Sequence, residues 1–250
     1  MSFLNHEKDF GSNFLVGPKG LLMPERKIIE PKASMLVNPY RFGSIINADV
    51  SMAISASTSM TLPSHVSGNY IVMFAYRDGN NNTPTVPGGW TAITATGLIG
   101  VNSNCCVTAY KVAASNAETS GTWTNATGLV CAVVRQAGAG PLGLGVDSDQ
   151  ITGTSGTNPG SISFQGLTLA NSDGHSIVLG FGGERNNSGT SWNAATGMTA
   201  AVSGLATACV VGGQYTTTGV SSFSTRSAVI NSGAGSTGYA STTVEITGAA

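Results

Sequence analysis

Charge is scarce in this 250-residue chain, where 11 basic and 12 acidic side chains leave a net charge of -1. Phosphate binding draws on clustered Lys and Arg, so nothing electrostatic points to nucleic acid or to an anionic membrane surface. Long hydrophobic runs are missing too. No apolar stretch reaches the roughly 18 to 20 residues of a membrane-spanning helix, and no membrane insertion is expected. The opening MSFLNHEKDF carries acidic residues where a signal peptide would be basic and then apolar, so the mature chain is expected to begin near Met1.

Cysteine is limited to Cys105, Cys106, Cys131 and Cys209, all in apolar stretches and without the CxxC spacing of a metal site. They read as buried free thiols acting as small apolar residues. The sequence contains no GxSxG nucleophile elbow and no HExxH or paired-histidine spacing. His65 and His175 stand in polar turns ahead of apolar runs and read as solvated loop residues. Asp147 and Asp149 supply too few oxygens for a calcium site. Asp78 and Glu184, beside Arg77 and Arg185, read as exposed strand-end ion pairs. No catalytic residue, metal or cofactor is assigned.

What the chain does have is glycine, 34 residues of it, together with abundant Ser, Thr, Ala and Val. This is the composition of strands and turns. From about Asn47 onward, short apolar or alternating runs such as YIVMFAYR, CCVTAYKVA, LVCAVVRQ and SIVLGFGG are separated by Gly-, Pro- and Asn-rich turns. Ten candidate strands predict an all-β fold, an antiparallel β-sandwich of jelly-roll or immunoglobulin-like type. An internal repeat pairs Ile71-Val72 with Ile177-Val178, Gly89-Trp90-Thr91 with Gly197-Met198-Thr199, and Cys106-Val107 with Cys209-Val210. Each half has an apolar face to bury, so the two halves are expected to pack face to face in one domain, residues 47–250.

Residues 1–46 differ in character. The first 45 hold 10 of the 23 charges and 4 of the 9 prolines, and Pro18, Pro24, Pro31 and Pro39 leave no room for a useful helix. Apolar clusters punctuate the segment: Phe14, Leu15 and Val16; Leu21, Leu22 and Met23; Ile28 and Ile29; Met35, Leu36 and Val37; then Tyr40 and Phe42. An extended arm with such anchors is suited to a sheet edge or groove of a neighbouring subunit, and these residues are the candidate docking set. Trp123 and Trp192 are the candidate ligand-binding residues, because exposed rings form stacking platforms for sugars. Trp192 lies in a Gly- and Asn-rich stretch that reads as a surface loop.

Several of these segments also carry a resemblance. Leu62 to His65, Ile71 to Gly79, Pro87 to Thr91, Lys111 to Ala113 and Glu118 to Thr124 together resemble a family of β-rich proteins of tailed bacteriophages. The segment Asn38 to Phe42 resembles a junction found in phage tail proteins. The resemblance implies a virion structural protein without assigned catalytic residues, assembled in the host cytoplasm. Its arm would anchor a solvent-facing sandwich to capsid or tail subunits, as a head decoration (cement) protein or a tail or baseplate appendage. A homo-oligomer on the particle is expected, and a host-surface glycan is the alternative partner.

Overall fold

The computed structural model describes residues 14–16, 22–24, 49–93, 98–99, 104–135, 142–145, 150–154, 160–185, 191–206, 209–230 and 238–248. The chain separates into two compact units, Met1–Pro39 and Tyr40–Ala250. The boundary lies a few residues ahead of the composition shift and inside the Asn38 to Phe42 segment. In the first unit the described elements are β1 (Phe14–Val16) and β2 (Leu22–Pro24), paired antiparallel. The arm therefore folds back as a hairpin across its Gly- and Pro-containing connection.

The second unit is built from strands alone among its described residues. Its first half contributes β3 (Asp49–Ser55), β4 (Tyr70–Arg77), β5 (Thr91–Ala92), β6 (Leu98–Ile99), β7 (Cys105–Val112) and β8 (Gly128–Arg135). These form one antiparallel sheet in the order β3-β8-β4-β7-β5, with β6 also on β7. The second half contributes β9 (Leu142–Leu144), β10 (Gln150–Thr154), β11 (Gly160–Phe164), β12 (Ser176–Glu184), β13 (Trp192–Asn193), β14 (Thr199–Ala206), β15 (Cys209–Tyr215), β16 (Arg226–Ile230) and β17 (Gly238–Gly248). Its main sheet runs β10-β17-β12-β15-β14, with β9 on β17, and β11-β16-β13 form a separate three-stranded sheet.

The two orders superpose: β3, β8, β4, β7 and β5 take the places of β10, β17, β12, β15 and β14. The duplication seen in the sequence is thus a duplication of topology. Numbering the second half's strands from β10 as one to eight, the sheets read 1-8-3-6 and 2-7-4, with the fifth strand carried onto the sixth. That is the jelly-roll arrangement of two interlocked Greek keys. In the first half the layer equivalent to β11-β16-β13 is irregular chain. Remnants of its ladder persist, as Trp123 N donates to Thr58 O at 2.7 Å and Thr85 N to Thr124 O at 2.9 Å.

The two main sheets pack against each other through one apolar seam. Val72, Phe74, Tyr76, Val130 and Val134 meet Ile177, Leu179, Phe181, Val211 and Val244, and the Phe74 and Phe181 rings stack with centroids 6.1 Å apart. A hydrogen bond buried in the seam joins Thr108 Oγ1 to Thr242 Oγ1 at 3.0 Å. Each sheet is covered on its outer face as well. Met73, Val107, Leu129 and Val133 pack under Leu62 and Trp123, while Val178 and Val210 pack under Ile162, Phe164, Trp192 and Ile230. Strands buried on both faces read as continuous apolar runs, which explains YIVMFAYR and LVCAVVR. The unit is therefore deeper than one sandwich of ten strands: a jelly roll backed by a second main sheet under an irregular cover, with fifteen strands from β3 to β17 among the described residues.

One pairing in the repeat is out of register. Gly68 and Gly174 occupy matching turns with φ of 89° and 91°, but Ile71 then faces the outer cover and Ile177 the seam. Side chains alternate with period two, so a one-residue slip between halves exchanges the faces. Both cysteines of the other pair, Cys106 and Cys209, do face the seam.

Candidate functional site

At the end of the central strands, sequence places a Tyr-Arg-Asp run at the end of β4 and a Gly-Gly-Glu-Arg run at the end of β12. Tyr76 is fully buried, and its ring lies where a side chain at position 183 would be: a Cβ on Gly183 would come within 2.4 Å of the ring. Burial pushes the Tyr76 phenol well above its usual range, reinforced by neighbouring Cys209 and Asp78. Asp78 Oδ1 lies 3.4 Å from Arg185 Nε, an ion pair that crosses from one half to the other. Burial raises the Asp78 carboxyl even though Arg185 and Arg77 pull it down. Glu184 is fully buried. The expected exposed strand-end pairs are thus corrected: Asp78 and Glu184 are drawn inward because two sheets, rather than solvent, flank the strand ends. The cluster joins the halves, and Thr127 locks it by accepting from Asp78 N at 2.9 Å.

The segments that carry the family resemblance converge over the outer face of the first sheet. Lys111 Nζ bonds Glu118 Oε2 at 2.9 Å and Thr119 O at 2.7 Å, and it sits 4.7 Å from the Trp90 ring centroid. Trp90 meets Trp123 edge-on at 5.5 Å, and Trp123 Nε1 donates to Ser120 O at 2.9 Å. Arg135 reaches Asp49, Ser51 and Ser64 O, tying the Leu62 to His65 turn to β3 and β8. Together they form a clasp that closes the cover over the sheet.

On the opposite side, an open groove of about 420 Å³ is lined by Thr196, Gly197 and the run Ser224 to Ser227. Its back wall is the turn Ala195 to Met198, held by Met198 N donating to Ala195 O at 2.9 Å and by Ala195 N donating to the buried Gln214 Oε1 at 2.9 Å. Arg226 lines the groove with its Cζ 4.5 Å over the Phe223 ring.

Trp123 and Trp192 are buried, at 0% and 5% exposure, so neither presents a ring to solvent. Trp192 is not on a surface loop. It sits in β13, where a Cβ on Gly182 or Gly212 would lie 3.0 Å from its ring, and those glycines leave the hollow it fills. His65 is likewise buried rather than solvated, with Nδ1 2.7 Å from Pro63 O, whereas His175 pairs with Asp173 at 2.9 Å. All four cysteines are buried and none forms a disulfide. Phe14, Leu15, Val16, Leu22 and Met23 lie in the β1–β2 hairpin. Leu21, Ile28, Ile29, Met35, Leu36, Val37, Tyr40, Phe42, Asp147 and Asp149 lie outside the described residues. Among the described residues no three His, Cys, Asp or Glu side chains gather as metal ligands, and no helix is long and apolar enough to cross a membrane. Sequence reading missed the Arg226 groove, since a lone Arg after Phe-Ser-Thr carries no pattern. No protein-family model matches the chain, and no curated protein or solved structure matches it.

Proposed function

We propose that this chain is a structural component of a tailed-phage virion, in which the N-terminal arm anchors the duplicated β-sandwich to capsid or tail subunits. The observation that carries the reading is that, among the described residues, both faces of both main sheets of the second unit are covered by residues of that unit, which fill its three apolar clusters. The apolar clusters of the arm belong to a separate unit, where a two-stranded hairpin is marginal in water and gains by pairing with a further sheet or groove. The motif segments support the same reading, since their residues build a structural clasp.

Cosedimentation with particles of the encoding phage tests this. The full chain is expected to pellet with particles lacking their own copy, and Leu22→Ser with Met23→Ser is expected to abolish pelleting while leaving strand content unchanged. Pelleting that survives loss of the anchors, or absence of the protein from purified virions, would overturn the proposal.

A further inference from the structure

The two halves of the duplication provide an internal comparison at one turn. Pro87 to Trp90 and Ala195 to Met198 share the same hydrogen bond, N of the last residue to O of the first, at 3.3 and 2.9 Å. Each has a glycine at positive φ, 84° at Gly89 and 74° at Gly197, a conformation open to glycine at little cost. Beside each turn a cation lies over an aromatic ring, Lys111 on Trp90 and Arg226 on Phe223. In the first half Glu118 neutralises that cation. In the second half none of the ion pairs among the described residues involves Arg226, and Arg226 lines the open groove.

The guanidinium is held in place. Its Nη1 donates to Thr196 O at 2.9 Å, its plane is backed by Phe223, and a Cβ on Gly197 would come within 2.6 Å of Nη1. A guanidinium fixed in this way loses little freedom when its remaining N–H groups engage a ligand. A single cation matches one negative charge, whereas phosphate groups call for several. Apart from Gly197 the rest of the lining bears hydroxyls; Thr225 Oγ1 accepts from Gly166 N and Ser227 Oγ pairs with Ser163 Oγ, while Thr196 and Ser224 are exposed, and hydroxyls both donate and accept. The groove lies within the roughly 300 to 1,000 Å³ of small-molecule sites.

We infer that this groove binds an acidic saccharide, with Arg226 receiving the sugar carboxylate in a bidentate pair and the Ser and Thr hydroxyls contacting the ring hydroxyls. The inference is independent of the arm and moves glycan recognition away from the buried tryptophans. Calorimetric titration of the full-length protein with sialyllactose and with a glucuronic-acid disaccharide, each against its neutral counterpart, tests it. At least one acidic sugar is expected to bind saturably and about tenfold more tightly than its neutral counterpart. Arg226→Gln is expected to remove that preference with an unchanged circular dichroism spectrum, and Arg226→Lys to keep part of it. Equal affinity for acidic and neutral sugars, no binding at millimolar concentration, or a preference that survives in a folded Arg226→Gln protein would overturn the inference. Should Arg226→Gln unfold the protein, the acidic-against-neutral comparison on the unaltered chain decides alone.

Discussion

Glycines at the sheet faces set how closely the layers of this protein approach. Gly183→Ala would drive a methyl group into the ring of the fully buried Tyr76. Overpacking of this kind costs about 1–3 kcal/mol. Gly88→Ala, with no atom within 4 Å of its Cβ, is expected to change stability by less than about 0.5 kcal/mol, and urea melts of the two variants check the contrast. Trp192→Ala is expected to lose about 3–5 kcal/mol, as large buried aromatics do. This reverses the sequence reading, which treated Trp192 as a surface-loop residue and a candidate sugar platform. Glycines near a tryptophan look like loop in one dimension; here Gly182 and Gly212 come from other strands and form the floor beneath the ring.

The thiols follow from the same burial. Desolvation pushes the Cys106 thiol up to about 12 and raises Cys131 further, so the reactive thiolate is scarce at pH 8. Ellman's reagent is expected to find no fast-reacting cysteine in the native protein and four after denaturation; rapid native labelling would contradict the packing. Glu118 titrates the opposite way, its carboxyl lowered chiefly by the hydrogen bond from Lys111. A lowered carboxylate stabilises the fold above its ordinary value of 4.5, and the contribution is lost as pH falls through the folded value. The stability difference between the native chain and Glu118→Gln is therefore expected to be small at pH 7, as for most single surface pairs, and to shrink as pH falls below the ordinary carboxyl value.

At the scale of elements, the sequence made the doubly buried strands legible, because β4, β7, β8, β12 and β17 are long β-branched or apolar runs. It left β14 unread, since Thr-Ala-Ala-Val-Ser-Gly-Leu-Ala is rich in small residues with weak strand preference. β13 was missed because it is two residues long. The repeat was visible, yet its register was not: turns align halves by glycine, whereas faces are decided by what each strand packs against. Since each half owns one side of the Phe74–Phe181 seam, residues 47–145 and 146–250 produced separately are expected to aggregate or remain loosely packed. Coexpression should restore a soluble complex. Two independently soluble, cooperatively melting halves would show that the seam is dispensable.

For the whole molecule, the account rests on a division of labour. Among the described residues the second unit fills three apolar cores with residues from Val50 onward, and on the proposed reading the proline-punctuated arm carries its apolar clusters to another surface. Composition places a division at residue 46, where crowded prolines and charges give way to strand-forming residues, whereas the compact units divide between Pro39 and Tyr40. The most direct test compares the full chain with a protein beginning at Asn47, using circular dichroism through a thermal melt and multi-angle light scattering. The account predicts that the shortened protein is strand-rich, melts cooperatively near the temperature of the full chain and stays monomeric. Unfolding or a broad, non-cooperative melt on removal of residues 1–46 would make the arm part of the core and contradict its role as an anchor.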